Sequence, residues 1–262
     1  FWRLLSHRRS TTDDLVSIAF QPVCRGTGES LYDNLRVTIF EGSDYAAEAH
    51  RVQKPIVIDG DLQDWDHSDP IPLLAENQVS TSGSYRWTPE NISGEAWLRW
   101  DAAALYFSAW VRDDKQVVSN TGDACLDGDS LILALHPANR ADGTDSRAFA
   151  WYLSGAKPNG GSGLYTLYRP AKYSGGLSSG QLAKDSSVYE IAIKRTGNFT
   201  CYEVRIPWSE TGGVVPALGV KLGLSLQLND RDDGTGMANL NWGGGLKPAW
   251  SPSGFGILTL VD

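Results

Sequence analysis

Apolar and polar residues alternate along several segments of the chain. The segment 105–112, LYFSAWVR, places apolar residues at every second position, and the segment 222–229, LGLSLQLN, does the same with leucines. A period of two residues predicts β-strands that bury one face. Segment 187–208 holds two further alternating runs on either side of Gly197-Asn198, which is a hairpin signal. The sequences SLILAL, FAWYL, LYTLY and FGILTLV predict more strands, and no segment shows a helical period over three turns.

Turn-forming residues separate these predicted strands. The chain has 28 Gly and 12 Pro among its 262 residues, and clusters such as SGAKPNGGSG lie between the apolar runs. Short strands between such turns predict an all-β fold, an antiparallel β-sandwich of jelly-roll type. The segments 15–20 and 31–40 predict a two-strand N-terminal appendage. We therefore expect residues 1–45 to form the last strands of a preceding β domain or a docked appendage, residues 46–52 a linker, and residues 53–262 the sandwich.

Composition excludes several classes of protein. The chain has 23 basic and 31 acidic residues, so its formal net charge is 23 − 31 = −8, and it has no basic stripe of the kind that binds nucleic acid. No apolar run approaches the roughly 18 residues of a membrane span. The three cysteines, Cys24, Cys125 and Cys201, are odd in number and match no zinc spacing. We expect them to be buried free thiols.

Six motifs follow one another from residue 53 to the end of the printed sequence. They are KPIVIDGDLQDW, WLRWDAAALYFSAWVRDD, CLDGDSLILALHP, YEVRIPWSE, GLSLQLNDRDDGTG and NWGGGLKPAWSPSGFGILTLV. In this order they resemble the family 9 carbohydrate-binding modules. The resemblance implies a two-sheet β-sandwich, bound calcium and recognition of sugar chains, in some members at the chain end.

The resemblance also implies a sugar site, whose residues are carried over one by one. Trp250 matches a tryptophan that stacks on a sugar ring, and Gln227 matches a glutamine that binds hydroxyls. Leu126 and Ile132 stand where the family has a second tryptophan and a glutamate, so we expect a one-sided site unless another ring closes it. Trp242, before three glycines, and Trp87, in a polar loop, are candidates for that ring, while Asn229 and Lys247 are candidates for further polar contacts.

A second set of aromatic residues is predicted to lie on strand faces that point away from the core. Trp97, Tyr106 and Trp110 alternate with the apolar rows of their segments. They form either a glycan platform or a surface covered by residues 1–45, and the covered arrangement is the one we expect. Trp151 alternates with apolar neighbours and is predicted to belong to the core.

Aspartates cluster in three turn-like segments, 113–114, 127–129 and 230–233. Carboxylates in tight loops are ligands that calcium prefers, and the implied calcium would lie here. The alternative is turn capping, because Asp and Gly dominate turns. Asp59, Asp61 and Asp64 are predicted mainly to form turns. The candidate ligands are Asp230, Asp232, Asp127, Asp129 and Asp114.

Motifs for catalysis are missing from the sequence. The four histidines form no HxxxH or HxH pair, and no GxSxG, GxGxxG or P-loop pattern occurs in a suitable context. A haem-binding sandwich remains an alternative, with Met237 and either His136 or Lys247 as axial ligands. A structural module without sugar binding is a further alternative.

With the resemblance, the sequence predicts a non-catalytic carbohydrate-binding module that acts by aromatic stacking and hydrogen bonds. Such modules are usually appended to secreted polysaccharide-degrading enzymes. The expected partners are a polysaccharide or oligosaccharide and a covalently linked catalytic or other β domain upstream. The expected location is extracellular or at the cell surface.

Overall fold

A computed structural model gives the three-dimensional structure of the chain. It describes residues 45–118, 122–138, 148–155, 166–169, 180–181, 189–232, 236–246 and 251–262. The chain divides into a unit of residues 1–43 and a unit of residues 44–262, and all described residues belong to the second unit. The two strands predicted at 15–20 and 31–40, and Cys24, lie outside the described residues. None of the helices in the described ranges is long and apolar enough to cross a membrane.

Fourteen β-strands and four short 3-10 helices make up the described part of the second unit. The 3-10 helices are Glu76–Gln78, Gly122–Asp127, Trp208–Thr211 and Pro252–Gly254. The strands are β1 (Ala46–Arg51), β2 (Ile71–Leu73), β3 (Val79–Gly83), β4 (Ile92–Trp100), β5 (Ala104–Asp113), β6 (Ser130–His136), β7 (Phe149–Ser154), β8 (Thr166–Arg169), β9 (Gly180–Gln181), β10 (Glu190–Thr196), β11 (Phe199–Pro207), β12 (Lys221–Asp230), β13 (Gly236–Trp242) and β14 (Gly256–Val261).

Backbone hydrogen bonds join all fourteen strands into one curled sheet with two halves. The first half has the order β10-β11-β5-β4, with β2 also beside β4. The second half has the order β12-β6-β7-β8-β9, with β13 and then β3 beside the last part of β12. Strands β1 and β14 connect the halves between β4 and β12. The prediction of an all-β sandwich is confirmed.

The core lies between the two halves, where the alternating apolar rows meet. Strand β5 contributes Leu105, Phe107, Ala109 and Val111, and β12 contributes the four leucines of its row, all buried. Trp151 is fully buried in the same cluster, as its alternation predicts. We call the faces toward this core the inner faces of the two halves and the opposite faces the outer faces.

Strand β1 corrects the predicted domain boundary. The sequence predicts a linker over 46–52, but Ala46–Arg51 is a strand that pairs in parallel with both β14 and β4. Only Ala49 of this strand is buried in the core. The polar sequence AAEAHR therefore forms a strand because neighbours on both edges satisfy its backbone hydrogen bonds.

Two local predictions from the sequence are confirmed. The hairpin at Gly197-Asn198 joins β10 to β11, with Thr196 opposite Phe199 and Gly197 at a positive φ of 58°. Cys125 and Cys201 are both buried, and Cys201 is a free thiol.

Residues 52–65, which we call the cover segment, lie over the outer face of the first half. Ile56, Ile58, Leu62 and Trp65 of this segment form a cluster with Trp97, Tyr106 and Cys201 of the sheet. The cover segment therefore packs on Trp97 and Tyr106, while the predicted cover by residues 1–45 lies outside the described residues. Trp110 and Phe199 remain 40% and 37% exposed and stack on each other with ring centroids 5.3 Å apart.

Glu203 of β11 binds the cover segment to the sheet through hydrogen bonds. Its side chain is fully buried, and it accepts hydrogen bonds from Trp65 Nε1 at 2.6 Å, from the backbone N–H of Asp59 at 3.1 Å and from that of Gly60. Gly60 has a φ of 83°, and a Cβ there would lie 2.7 Å from Lys194 Cβ, so only glycine fits this close approach. The IDGDLQDW motif is thus the part of the cover segment that is hydrogen-bonded to the sheet.

Candidate functional site

Three aspartates meet at one end of the sandwich core. Each continues the inner-face row of its strand: Asp113 follows Val111 in β5, and Asp230 follows Leu228 in β12. Asp129 precedes Leu131 at the start of β6 and lies in the same inner-face row. Because these rows face one another across the core, the three buried carboxylates converge. Their ligand oxygens all lie within 4.8 Å of one another.

A second group extends this set toward solvent. Asp113, Asp114 and Asp232 also bring carboxylate oxygens within 4.8 Å of one another, with Asp114 exposed and Asp232 half-buried. We call the five residues Asp113, Asp114, Asp129, Asp230 and Asp232 the acidic cluster. The structure therefore brings together four of the predicted ligands and adds Asp113, which its row in β5 could have indicated.

Asp127 does not belong to the acidic cluster. Its side chain is exposed and in neither group, while its backbone carbonyl accepts a hydrogen bond from Arg231 Nη1 at 3.0 Å. It ends the 3-10 helix Gly122–Asp127, two residues before Asp129. The prediction of Asp127 as a ligand is therefore not supported, because its carboxylate is exposed and lies outside both groups.

Burial and repulsion from neighbouring carboxylates raise the pKa values of Asp129, Asp230 and Asp232. Burial, with the nearby Asp113 charge, raises the pKa of Asp129 to about 8. Burial and the Asp232 charge raise the pKa of Asp230 to about 7, although a hydrogen bond from the Tyr85 hydroxyl lowers it. The negative charge of Asp113 is balanced by an ion pair with Arg195 at 2.8 Å. Carboxylates held this close together favour a bound cation.

The acidic cluster also contains oxygens that lack a hydrogen-bond partner. Asp230 Oδ1 and Asp232 Oδ1 are buried and accept no hydrogen bond. Buried acceptors without donors are uncommon in folded proteins and require an explanation such as an ion. Several carboxylate oxygens in one pocket are the donor set that Ca²⁺ takes. The chemistry of these residues therefore fits the calcium ion that the resemblance implies.

A cluster of neutral polar side chains lies on the outer face of the second half, on the other side of the same strand ends. Asn229 is its centre: its Oδ1 accepts hydrogen bonds from Gln227 Nε2 and, at 2.6 Å, from Asn239 Nδ2. Its Nδ2 donates to Ser130 Oγ at 2.9 Å. All four side chains are buried. We call Ser130, Gln227, Asn229 and Asn239 the amide cluster.

Gln227 keeps one hydrogen-bonding position open. Its side chain is 0% exposed, yet its Oε1 has no hydrogen-bond partner among the residues that the structure describes. A buried acceptor left unpaired costs about 1–3 kcal/mol, so a protein rarely keeps one without a use. Ile132, which stands at the position of the family's glutamate, is the direct cross-strand neighbour of Gln227. The acceptor therefore borders an apolar wall that continues to Leu126.

Two of the other predicted sugar-binding residues, Trp242 and Trp87, are among those that the structure describes. The prediction of Trp242 as a stacking ring is wrong. Its side chain is 1% exposed and continues the inner-face row of Ala238 and Leu240 into the core. Trp87 is half-buried, packs against the core and donates from Nε1 to the Ile92 carbonyl at 2.8 Å. Trp87 therefore lies at the edge of the core, and its ring is not a free surface for stacking on a sugar. Trp250 and Lys247 lie outside the described residues.

The geometry excludes one of the two haem ligand pairs. His136 lies opposite Gly223 at the start of β12, whereas Met237 lies next to Ala238, which is opposite Asp230 at the end of β12. Seven residues of strand separate these ends, or about 23 Å. His136 and Met237 therefore cannot bind one iron.

Comparisons with known proteins agree with this architecture. A family model described as "Carbohydrate family 9 binding domain-like" matches residues 58–262. The fold is similar to that of a carbohydrate binding module family 9 from Caldicellulosiruptor kristjanssonii in complex with cellotriose, with a TM-score of 0.57 and 21% identity over 83% of this chain and 94% of that chain. A complex of such a module from the same organism with glucose gives a TM-score of 0.57 and 21% identity over 81% and 95% of the two chains. The search of curated proteins gave no match.

Proposed function

Because the chain belongs to the carbohydrate family 9 binding domain-like family, as its six motifs predict, we propose that it binds a glycan at the amide cluster. The family is one of non-catalytic carbohydrate-binding modules, so the chain is a binding module and not an enzyme.

The observation that carries the proposal is the unpaired Oε1 of Gln227. A sugar hydroxyl is a donor of the right size and polarity to pair with it, and pairing removes the cost of the buried acceptor. Because Gln227 is fully buried, a sugar hydroxyl can pair with it only by inserting between the side chains around it.

Aromatic stacking supplies the second half of the proposed mechanism. Sugar rings present C–H faces that pack on an aromatic ring, while their hydroxyls need planar polar groups. Trp250 is the ring that the resemblance assigns to this role. With Leu126 and Ile132 in place of the family's tryptophan and glutamate, the opposite wall is apolar. We therefore propose a site with one stacking ring.

Calcium is the cofactor that we propose for the acidic cluster. Asp113, Asp129 and Asp230 would hold the ion from the inner side, and Asp114 and Asp232 from the solvent side. The ion supplies positive charge, which neutralises the carboxylates and fixes the ends of the strands that carry them. Its proposed role is structural.

We further propose that the module serves a secreted, multidomain, glycan-active protein and binds β-linked glucose chains. Support for the ligand comes from the two neighbours of similar fold, which are described in complex with cellotriose and glucose. These two sugars are therefore the first probes.

Calorimetric titration of the full chain with cellotriose in calcium-containing buffer tests the sugar proposal. Trp250→Ala should weaken binding about 5- to 150-fold, the equivalent of roughly 1–3 kcal/mol for a lost stacking ring. Gln227→Leu should weaken it about 2- to 12-fold, the equivalent of one hydrogen bond of roughly 0.5–1.5 kcal/mol. Ser108→Ala is the matched control, because Ser108 Oγ is also buried and unpaired but lies on the first half.

Trp110→Ala distinguishes the two possible binding surfaces. If Trp110→Ala weakens binding and Trp250→Ala does not, the sugar binds the exposed Trp110–Phe199 pair and the proposed site is wrong. If no sugar on a glycan array binds the folded chain, the structural alternative is the better account.

Thermal unfolding with and without a chelator tests the calcium proposal. At a calcium concentration of 100 times Kd, the ion should stabilise the fold by about 2.7 kcal/mol. For a unit of this size that raises Tm by roughly 5–10 °C. Asp129→Asn should remove most of this gain, whereas Asp127→Asn, an exposed aspartate outside the cluster, should keep it. An identical melting curve in excess chelator contradicts the proposal.

A further inference from the structure

The acidic cluster and the amide cluster lie back to back on the same two strand ends. Asp129 and Ser130 are successive residues at the start of β6, and Asn229 and Asp230 are successive residues at the end of β12. Ser130 and Asn229 are directly opposite each other in the β6–β12 ladder. Because successive side chains of a strand point to opposite faces, the aspartates point to the inner face and their neighbours to the outer face.

The Ser130–Asn229 hydrogen bond is the last cross-strand contact of the amide cluster toward this end. Asn229 Nδ2 donates to Ser130 Oγ at 2.9 Å, and this leaves Asn229 Oδ1 to accept from Gln227 Nε2. The Gln227 amide is thereby oriented with its nitrogen toward Asn229 and its Oε1 free. If Asn229 rotated, Gln227 would lose the partner that fixes which of its two amide atoms is open.

An ion in the acidic cluster acts on the same ladder end from the other face. Asp129 and Asp230 offer oxygens within 4.8 Å of each other, and Asp230 Oδ1 is a fully buried acceptor without a partner. An ion that binds both carboxylates holds the start of β6 against the end of β12. Without the ion this link between the two strands is lost, so the pair of residues that carries the Ser130–Asn229 hydrogen bond is held less firmly.

We propose that Asn229 and Ser130 are positioning residues through which calcium in the acidic cluster increases the affinity of Gln227 for a sugar hydroxyl. This inference rests on the proposed function. Coupling between two sites is reciprocal, so the sugar must raise the affinity for calcium by the same factor. Couplings of this type commonly amount to 5- to 150-fold, and we expect the lower end, about 5- to 10-fold, because a single hydrogen bond transmits it.

The test measures the Kd for cellotriose with calcium and in chelator, and the Kd for calcium with and without cellotriose. Both comparisons use the full chain at a temperature at which the chelated protein is folded. Ser130→Ala removes the link and should reduce the coupling factor to near one, while Ser130→Thr, which keeps the hydroxyl, should restore it. Ser154→Ala is the matched control, since Ser154 Oγ donates to the Asp129 carbonyl at 2.9 Å but does not contact Asn229. A Ser130→Ala variant with the full coupling factor, or a parent chain without coupling, overturns the inference.

A second measurement separates this inference from the proposed function. The side-chain amide NMR signals of Gln227 and Asn229 should shift when calcium chloride is added to the parent chain, and should shift much less in Ser130→Ala. If no sugar binds but these signals respond in this way, the proposed function fails and the connection between the clusters stands. If the signals do not respond to calcium, the connection is wrong whether or not a sugar binds.

Discussion

Glu203 and Gln227 are two fully buried polar side chains on the outer faces of opposite halves of the sandwich. The oxygens of Glu203 accept three hydrogen bonds from the chain itself, from Trp65, Gly60 and Asp59. The Oε1 of Gln227 accepts none. Burial alone therefore does not distinguish a structural polar residue from a binding residue. The difference lies in whether the fold satisfies the group or leaves the pairing to a ligand.

The two residues also differ in what lies over them. The cover segment closes the face above Glu203 with Ile56, Leu62 and Trp65. Burial raises the pKa of Glu203, and its hydrogen bonds from Trp65 and the Gly60 and Asp59 amides act in the opposite direction. Gln227 has Asn229 on one side and Ile132 on the other, and no described residue donates a hydrogen bond to its Oε1. We therefore expect mutations at the two positions to separate stability from binding.

The largest effect is expected from Glu203→Ala. The substitution leaves Trp65 Nε1 and two backbone N–H groups without their acceptor, and hydrogen bonds to a charged group contribute about 1.5–3 kcal/mol each. Losing all three of them predicts a fall of roughly 4.5–9 kcal/mol in the free energy of unfolding, measured by urea denaturation. Glu190→Ala is the control, because Glu190 is exposed and forms only a surface ion pair with Arg205 at 3.5 Å. Equal losses in the two variants contradict the structural role of Glu203.

A smaller effect is expected from pH in the calcium-free protein. The pKa values of Asp129 and Asp230 in the folded chain are about 8 and about 7, above the usual value near 3.9. Between these values the folded chain binds more protons than the unfolded chain, so its stability falls as pH rises from about 4 to about 8. We expect Tm in chelator to decrease over this range.

Two variants test whether this pH dependence comes from the acidic cluster. Asp129→Asn should flatten the pH profile more than Glu203→Gln. Burial and repulsion from Asp113 raise the pKa of Asp129, whereas three hydrogen bonds oppose the rise that burial causes in the pKa of Glu203. Saturating calcium should stabilise the parent chain more at pH 8 than at pH 5, because protons compete with the ion. A Tm that rises with pH in chelator contradicts the raised pKa values.

The smallest effect on stability is expected from Gln227→Leu. The substitution removes an unpaired buried acceptor and the hydrogen bond to Asn229, and Asn239 still donates to Asn229. The two changes oppose each other, so the free energy of unfolding should change by less than about 1 kcal/mol. The same variant should bind sugar less tightly. A loss of stability as large as that of Glu203→Ala would falsify the distinction between the two residues.

Period-two patterns allowed much of the fold and part of the site to be predicted from the sequence. The rows of β5 and β12 predicted their strands, and the same rows place Asp113 and Asp230 at the core end. Strand β1 could not be predicted from its own residues, since pairing with β14 and β4 forms it. Trp242 was misassigned because the glycines after it suggested exposure, while its row in β13 buries it.

Glu203 is the residue that sequence analysis missed completely. In the strand CYEVRIPW it occupies an ordinary outer-face position, where an exposed glutamate is typical. Its partners Asp59 and Gly60 are 144 and 143 residues away along the chain. Long-range pairing of this kind leaves no local signal. The glycine and tryptophan of IDGDLQDW were the available clue, because they mark a segment that must approach another backbone closely.

The parallel pairing of β1 with β14 determines how the module would carry a mechanical load. Ala46 lies beside Ile257 and His50 beside Val261, so β1 begins and β14 ends at opposite ends of one ladder. A pull between Tyr45 and Asp262 shears this ladder lengthwise and loads its hydrogen bonds together instead of peeling them one after another. We expect single-molecule pulling from these two residues to require a higher rupture force than pulling across the β10–β11 hairpin at the sheet edge, and equal forces would contradict this geometry.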